Sequence, residues 1–202
     1  MVYNYIMENI IRALPGTFIP LFVAIDVFML VPIFISLTGD MSDQTRRAVS
    51  RESIFTALAV SIAFTALGEA IFRILGITAA DFKIAGGLVL LVFATLDLVR
   101  SADELRKPVD KMGIVPLGVP LIVGPAVLTT ILVLVDHYGI IPTIISLVLN
   151  LLIVWISFNN AKRIIKLFGR GGITGISKVM ALLLASIAVM MIRLGIEGIL
   201  KR

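Results

Sequence analysis

Residues 18–32 decide the fold of this chain, and they read Phe-Ile-Pro-Leu-Phe-Val-Ala-Ile-Asp-Val-Phe-Met-Leu-Val-Pro. A carboxylate, Asp26, lies in the middle of this otherwise apolar run, with Pro20 and Pro32 on either side. A charge in the core of a bilayer costs about 3 kcal/mol on insertion scales, and proline removes a helix hydrogen bond that lipid cannot replace. A membrane helix that is both charged and broken usually lines a cavity or an ion path. The stretch therefore predicts a transporter whose first span is interrupted.

The composition agrees with an all-α membrane protein. Of 202 residues, 59% are hydrophobic and 15% are charged, and the mean hydropathy is +1.08, which is more apolar surface than a soluble domain of this size can bury. Cysteine is absent and His137 is the single histidine, so the sequence predicts no metal site and no cofactor. The net charge of +5 is typical of cytoplasmic loops in a membrane protein, and we expect no nucleic-acid partner.

Six apolar spans are predicted, at residues 10–37, 54–75, 82–99, 115–135, 140–158 and 176–200. Long polar connectors, at 39–52, 101–113 and 159–174, alternate with short ones and carry most of the basic residues. The positive-inside rule places these long connectors in the cytoplasm and both termini outside a cytoplasmic (inner) membrane. Ser42 is a helix N-cap signal, which predicts that the helix of span two begins inside the first connector.

Two short matches indicate an internal repeat. Residues 20–23 resemble residues 116–119, and residues 76–78 match residues 172–174, with offsets close to half the chain. We therefore expect two halves, 1–105 and 106–202, within one membrane domain. Because each half holds three spans, the second half must have the opposite orientation, which gives an inverted 3+3 repeat.

Span four is interrupted in the same way as span one, since residues 116–125 contain three prolines and two glycines. Corresponding breaks in two halves point to a binding site at the membrane midplane. The free N–H groups at the start of a half-helix attract a carboxylate, and the free C=O groups at the end of one attract an ammonium or a cation. A zwitterionic amino acid fits that pair of ends, although prolines in membrane helices also act as simple kinks.

The candidate substrate-binding residues flank the two breaks and include one polar residue of span five. Asp26 is the candidate for an ammonium or for the coupling proton or cation; alternatively it is held neutral, or bonded to a backbone N–H freed by the break. Thr129 and Thr130 either cap the second half-helix of span four or bond back within it, and Asn150 is either interhelical glue or a ligand. The full set is Ala24, Ile25, Asp26, Val27, Val123, Gly124, Pro125, Thr129, Thr130 and Asn150.

The order of these motifs resembles the MarC family (UPF0056) of six-span membrane proteins, which includes the small neutral amino acid transporters called SnatA. The resemblance rests on residues 31–38, 82–88, 116–125 with Thr129 and Thr130, and 175–180. It implies an inverted 3+3 repeat in the inner membrane and, for the characterised branch, proton-coupled transport of glycine and alanine. Residues 82–88 include Gly86 and Gly87, which predict a close helix-packing patch.

The chain departs from the family at one position of span one. The family has Asn or Asp, then Pro, then Gly two residues later, whereas Val27, Phe28 and Met29 follow Asp26 here. The residues therefore leave open whether span one unwinds at Asp26.

Other functions compete with amino acid transport. An exporter of other metabolites or drugs would use the same fold, and a non-transport membrane assembly protein would direct Asp26 and Asn150 toward lipid. An enzyme is not expected, because an intramembrane aspartyl protease needs two facing carboxylates and a metalloprotease needs clustered histidine and glutamate. The expected partners are the lipid bilayer and the substrate. The oligomeric state and the direction of transport stay open.

Overall fold

The computed structural model describes residues 2–39, 41–99 and 122–200, and seven α-helices account for nearly all of these residues. They are α1 (Val2–Ile25), α2 (Val27–Thr38), α3 (Asp43–Leu75), α4 (Ala79–Val99), α5 (Pro125–Tyr138), α6 (Ile140–Asn159) and α7 (Ala161–Leu200). The expected boundary between the two halves, at 105/106, lies outside the described residues, as does the first part of span four, at 115–121.

Within the described ranges, four helical stretches are long and apolar enough to cross a bilayer, namely Ile10–Ile35, Asp43–Gly68, Ile140–Asn159 and Gly171–Leu200. They correspond to predicted spans one, two, five and six. α4 coincides with span three, and its 21 residues are about 31 Å long at 1.5 Å per residue. The chain is therefore an all-helical, multi-pass membrane protein.

Two of the predicted polar connectors are helical for most of their length. α3 begins at Asp43, after Ser42, whose Oγ accepts a hydrogen bond from the Thr45 N–H at 3.2 Å. This confirms the predicted start of that helix. The predicted connector at 159–174 is likewise mostly helical, since α7 begins at Ala161, and two helices meet in it at a kink at Gly169, with φ 65°. The Lys, Arg, Ile and Leu residues of this segment favour a helix. The backbone hydrogen bonds are therefore made within a helix outside the apolar span as well.

α4 and α7 pack most extensively, and glycines bring their backbones together. A methyl group added to Gly87 would lie 2.7 Å from the carbonyl oxygen of Ala188, and one added to Gly195 would lie 2.8 Å from that of Ala80. Such distances leave no room for a side chain. The predicted packing role of the glycine pair in span three is confirmed.

A second interior region gathers α1, α2, α5 and α6 around one buried hydrophobic cluster, to which α3 adds Ala57 and α7 adds Ala161. The stacked rings of Phe34 and Phe158, with centroids 4.0 Å apart, join α2 to the end of α6. Thr17 and Ser146 join α1 to α6 through a hydrogen bond of 2.6 Å. This region contains the residues on both sides of the two breaks, so it positions the candidate site.

Candidate functional site

The first break falls at Asp26, between α1 and α2. This residue has φ 44° and ψ 67°, the left-handed conformation, and no other non-glycine residue of the described ranges has a positive φ. That conformation costs roughly 1–2 kcal/mol for most L-residues, and Asp adopts it more readily than most. The Asp26 carboxylate accepts a hydrogen bond from the Met29 N–H at 3.3 Å and thereby caps α2.

The break at Asp26 settles the question that the departure from the family pattern left open. Span one does end and restart at Asp26, although neither Pro nor Gly follows it. The carboxylate is a second acceptor for the Met29 N–H, which also donates to the Asp26 carbonyl oxygen at 3.0 Å. Of the alternatives for Asp26, a bond to a backbone N–H at the break is the one that the geometry shows.

The second break falls at Gly124, which has φ −81° and ψ 177° and precedes α5. Pro125 occupies the first turn of α5, where a missing N–H is tolerated. No side chain of the described residues caps this helix start. The N–H groups of the first turn that follow Pro125 are therefore available to an anion, and the helix dipole favours one there.

The aliphatic residues on both sides of the breaks belong to the same hydrophobic cluster. Ile25, Val27 and Val123 are each at most 4% exposed, while Ala24 is half-buried. The side chains of these predicted site residues are therefore taken up by core packing. Their bulk also restricts the space beside the two helix starts.

The two threonines of α5 are buried along the helix beyond its first residues. The Thr130 hydroxyl donates a hydrogen bond to the Ala126 carbonyl oxygen at 2.9 Å, which is the back-bonded alternative. The Thr129 methyl group faces Gly86 of α4, where an added methyl group would collide with it. Thr129 therefore packs α5 against α4, while the hydroxyl of Thr130 is bonded within α5.

Asn150 contacts α1 upstream of the first break. Its Nδ2 donates to the carbonyl oxygens of Phe18, at 3.3 Å, and Ser146, at 2.8 Å. Phe18 precedes Asp26 by eight residues, or about 12 Å along a helix. Asn150 thus acts as interhelical glue, while its fully buried Oδ1 has no hydrogen-bond partner in the described part of the chain.

A buried polar stripe along α6 was missed by sequence reasoning. Thr143, Ser146, Asn150 and Ser157 are all buried, and their spacing of three, four and seven residues places them on one helix face. Thr17 of α1 bonds to this stripe. The helical spacing of small polar residues within an apolar run is the signal that could have found it.

A similar stripe lies along α3, where buried residues recur at helical spacing: Ser50, Ser53, Ala57, Ser61 and Thr65. The hydroxyls of Ser50 and Ser61 have no hydrogen-bond partner among the residues that the structure describes. Buried polar atoms without partners are rare in proteins. α3 and α6 pack against each other, so the interior contains polar groups on two neighbouring helices.

Metal binding has no support in the described ranges, where no three His, Cys, Asp or Glu side chains are close enough to share an ion.

A model of MarC family integral membrane proteins matches residues 11–200, which is nearly the whole chain. The chain belongs to the MarC family. Its relatives include a UPF0056 membrane protein of Methanocaldococcus jannaschii, 33% identical over 196 residues that cover 91% of this chain and 95% of the relative. UPF0056 membrane proteins of Pyrococcus abyssi and Aquifex aeolicus are 29% and 28% identical, covering 95% and 91% of this chain and 98% and 92% of their own.

No solved structure matches the chain significantly. The names of these MarC relatives state a membrane location and no substrate.

Proposed function

We propose that this MarC protein is a secondary transporter of small neutral amino acids, glycine and alanine among them, in the cytoplasmic membrane. The observation that carries the proposal is the pair of helix breaks, at Asp26 and at Gly124, whose flanking residues share one buried cluster. Interrupted membrane helices of this kind form the midplane sites of secondary transporters.

The two breaks differ in charge as the two ends of an amino acid do. Asp26 supplies a negative charge at the junction of α1 and α2. The start of α5 supplies backbone N–H groups and the positive end of its dipole. In our proposal Asp26 holds the ammonium, or the coupling proton or cation, and the backbone around Gly124 and Pro125 holds the carboxylate.

The size limit follows from the residues beside the breaks. Val27 and Met29 stand where the family pattern has Pro and Gly, and Ile25 and Val123 fill the core around both helix ends. A bulky substrate side chain would have to displace these residues. This favours glycine and alanine over larger amino acids.

An inverted repeat of six spans is part of the proposal, and the packing supports it. α2 packs against α6 and α7, and α5 packs against α3 and α4, which is the pattern expected if the halves exchange places. Ser50 and Ser146, and likewise Ser61 and Ser157, are each 96 positions apart, and all four are buried. In this scheme one half rocks against the other around a fixed site.

The proposed orientation has both termini outside and the basic segments in the cytoplasm. Arg46 and Arg47 of α3 lie beside Lys162 and Arg163 of α7, so the basic residues of two connectors gather at one end of the helices. At the other end, Lys83 pairs with Asp136 at 2.8 Å. This asymmetry favours the basic end as the cytoplasmic one.

Counterflow in proteoliposomes tests the proposal. Vesicles loaded with unlabelled glycine should accumulate labelled glycine or alanine, saturably, when they hold the wild-type protein or Glu197→Gln, a variant that removes an exposed carboxylate of α7. Asp26→Ala should lose the exchange. A folded wild-type protein that exchanges none of the small amino acids would contradict the proposal and favour other exported metabolites.

A further inference from the structure

A groove of about 880 Å³ lies at the basic end of the molecule, away from the two helix breaks. Its walls come from the start of α3 and from the junction of α6 and α7, with Ile35 of α2 beside them. This volume is within the range of ordinary ligand sites. Nothing in the proposed transport mechanism uses this groove.

Five basic side chains line the groove against a single carboxylate among its lining residues, Asp43. Asp43 already has two partners, since its Oδ1 lies 2.9 Å from Arg46 Nη1 and 3.8 Å from Lys162 Nζ. Within the described ranges no carboxylate lies in ion-pair distance of Arg47, Arg51 or Arg163. The groove therefore has a strong excess of positive charge.

Three of the arginines concentrate this positive charge at the start of α3. Arg47 and Arg51 are one turn apart on α3 and both line the groove, so they repel each other in the absence of an anion. Arg46 is held beside them by the carbonyl oxygens of Thr38, at 3.1 Å, and Met41, at 3.3 Å. Its buried Nε has no hydrogen-bond partner in the part of the chain described.

Apolar side chains line the groove as well. They are Trp155, Ile156 and Phe158 of α6 and Ile35 of α2. Trp155 is 42% exposed near the end of a membrane-spanning helix, the position at which tryptophan lies at the level of lipid headgroups. One ligand that meets both kinds of lining at once has a phosphate for the arginines and a hydrocarbon part for the aromatic and aliphatic side chains.

We propose that this groove binds an anionic phospholipid, with its phosphate between Arg47, Arg51 and Arg163 and its acyl chains along Trp155. Basic residues at a membrane surface attract anionic lipids, and guanidinium groups bind phosphate in a fixed, directional geometry. The bound lipid relieves the repulsion between Arg47 and Arg51 and holds α3 against the junction of α6 and α7.

Trp155 provides the test, because it is the single tryptophan of the chain. The protein is reconstituted in phosphatidylcholine vesicles to which a small fraction of a brominated lipid is added. The added lipid is brominated phosphatidylglycerol in one series and brominated phosphatidylcholine in the other. Brominated acyl chains quench tryptophan fluorescence on contact. We expect brominated phosphatidylglycerol to quench Trp155 at a concentration about tenfold lower. The preference should decline at high salt.

Two double variants separate the groove from general surface charge. Arg47→Gln/Arg51→Gln should abolish the preference, while Arg12→Gln/Arg193→Gln, which removes the same charge from exposed positions elsewhere, should retain it. Circular dichroism confirms that both variants are folded, and Arg163→Gln provides a milder form of the same test.

Equal quenching by the two brominated lipids in the wild-type protein would overturn the proposal, and that comparison requires no variant. A groove for free phosphate would show no lipid preference, while inorganic phosphate would raise the melting temperature of wild-type protein but not of Arg47→Gln/Arg51→Gln. Because amino acid exchange plays no part in this measurement, its result is independent of the proposed transport.

Discussion

The two helix breaks are built by different means. At the first, Asp26 adopts a left-handed backbone conformation and its own carboxylate caps α2. At the second, Gly124 is extended, Pro125 occupies the first turn of α5, and no described side chain caps the helix. The first break depends on the side chain of Asp26, whereas the second depends on the fixed backbone angle of Pro125.

This difference separates the chemistry of the two ends. A side-chain cap places a negative charge at the first break, while at the second no side chain of the described residues caps the backbone N–H groups. Matching breaks with identical caps would not distinguish the ends of a zwitterion. We therefore expect substitutions at Asp26 and at Pro125 to have different effects.

The largest effect is expected from Asp26→Asn. The amide tolerates the left-handed conformation and still caps a helix, but it lacks the charge. We expect glycine exchange to fall about 10- to 100-fold, the value of a charged hydrogen bond, with little change in melting temperature. Counterflow and thermal unfolding of one preparation measure both, and Glu197→Gln is the control. Unchanged exchange would limit Asp26 to a structural role.

A smaller effect is expected on stability when Asp26→Ala is compared with Asp26→Gly. Both variants lose the carboxylate, but alanine is strained at positive φ whereas glycine is not. We expect the alanine variant to be less stable than the glycine variant by about 1–2 kcal/mol. Reversible unfolding in detergent, followed by Trp155 fluorescence, compares them. Equal stabilities would mean that the backbone at Asp26 is not left-handed.

The smallest effect is expected from Pro125→Ala. Proline stabilises a compatible position mainly by restricting the unfolded chain, so its loss should cost about 0.5 kcal/mol. The same unfolding assay measures it beside Asp26→Ala. A loss of unfolding free energy larger than that of Asp26→Ala would contradict this order. It would mean that the second break contributes more to stability than the first.

Much of the architecture could be predicted from hydropathy. The apolar runs predict the spans seen in α3, α6 and α7 and in the pair α1 and α2. The reason is that a backbone crossing lipid must make its hydrogen bonds within itself, as a helix does. Hydropathy could not predict that α7 begins at Ala161, since basic residues outside the membrane read as loop. The close approach at Gly87 was found because two adjacent glycines in a span have few other uses.

The candidate site could be located but not assembled from sequence. Asp26 was found because a buried charge is costly, yet its left-handed backbone depends on the tertiary structure around it. Asn150 was identified as a polar residue, but its distance from Asp26 could not be inferred before α6 was placed beside α1. The polar stripe that includes Ser146 was missed because each serine or threonine is unremarkable alone.

The most direct test of the central claim is a comparison of three ligands of similar size on purified protein by calorimetry. Glycolate lacks the ammonium of glycine, and 2-aminoethanol lacks the carboxylate. The wild-type protein should bind glycine at least about tenfold more tightly than either analogue. In Asp26→Asn the difference between glycine and glycolate should disappear, while the difference between glycine and 2-aminoethanol remains. An undiminished preference for glycine over glycolate in Asp26→Asn would show that the ammonium is held elsewhere, which contradicts the account.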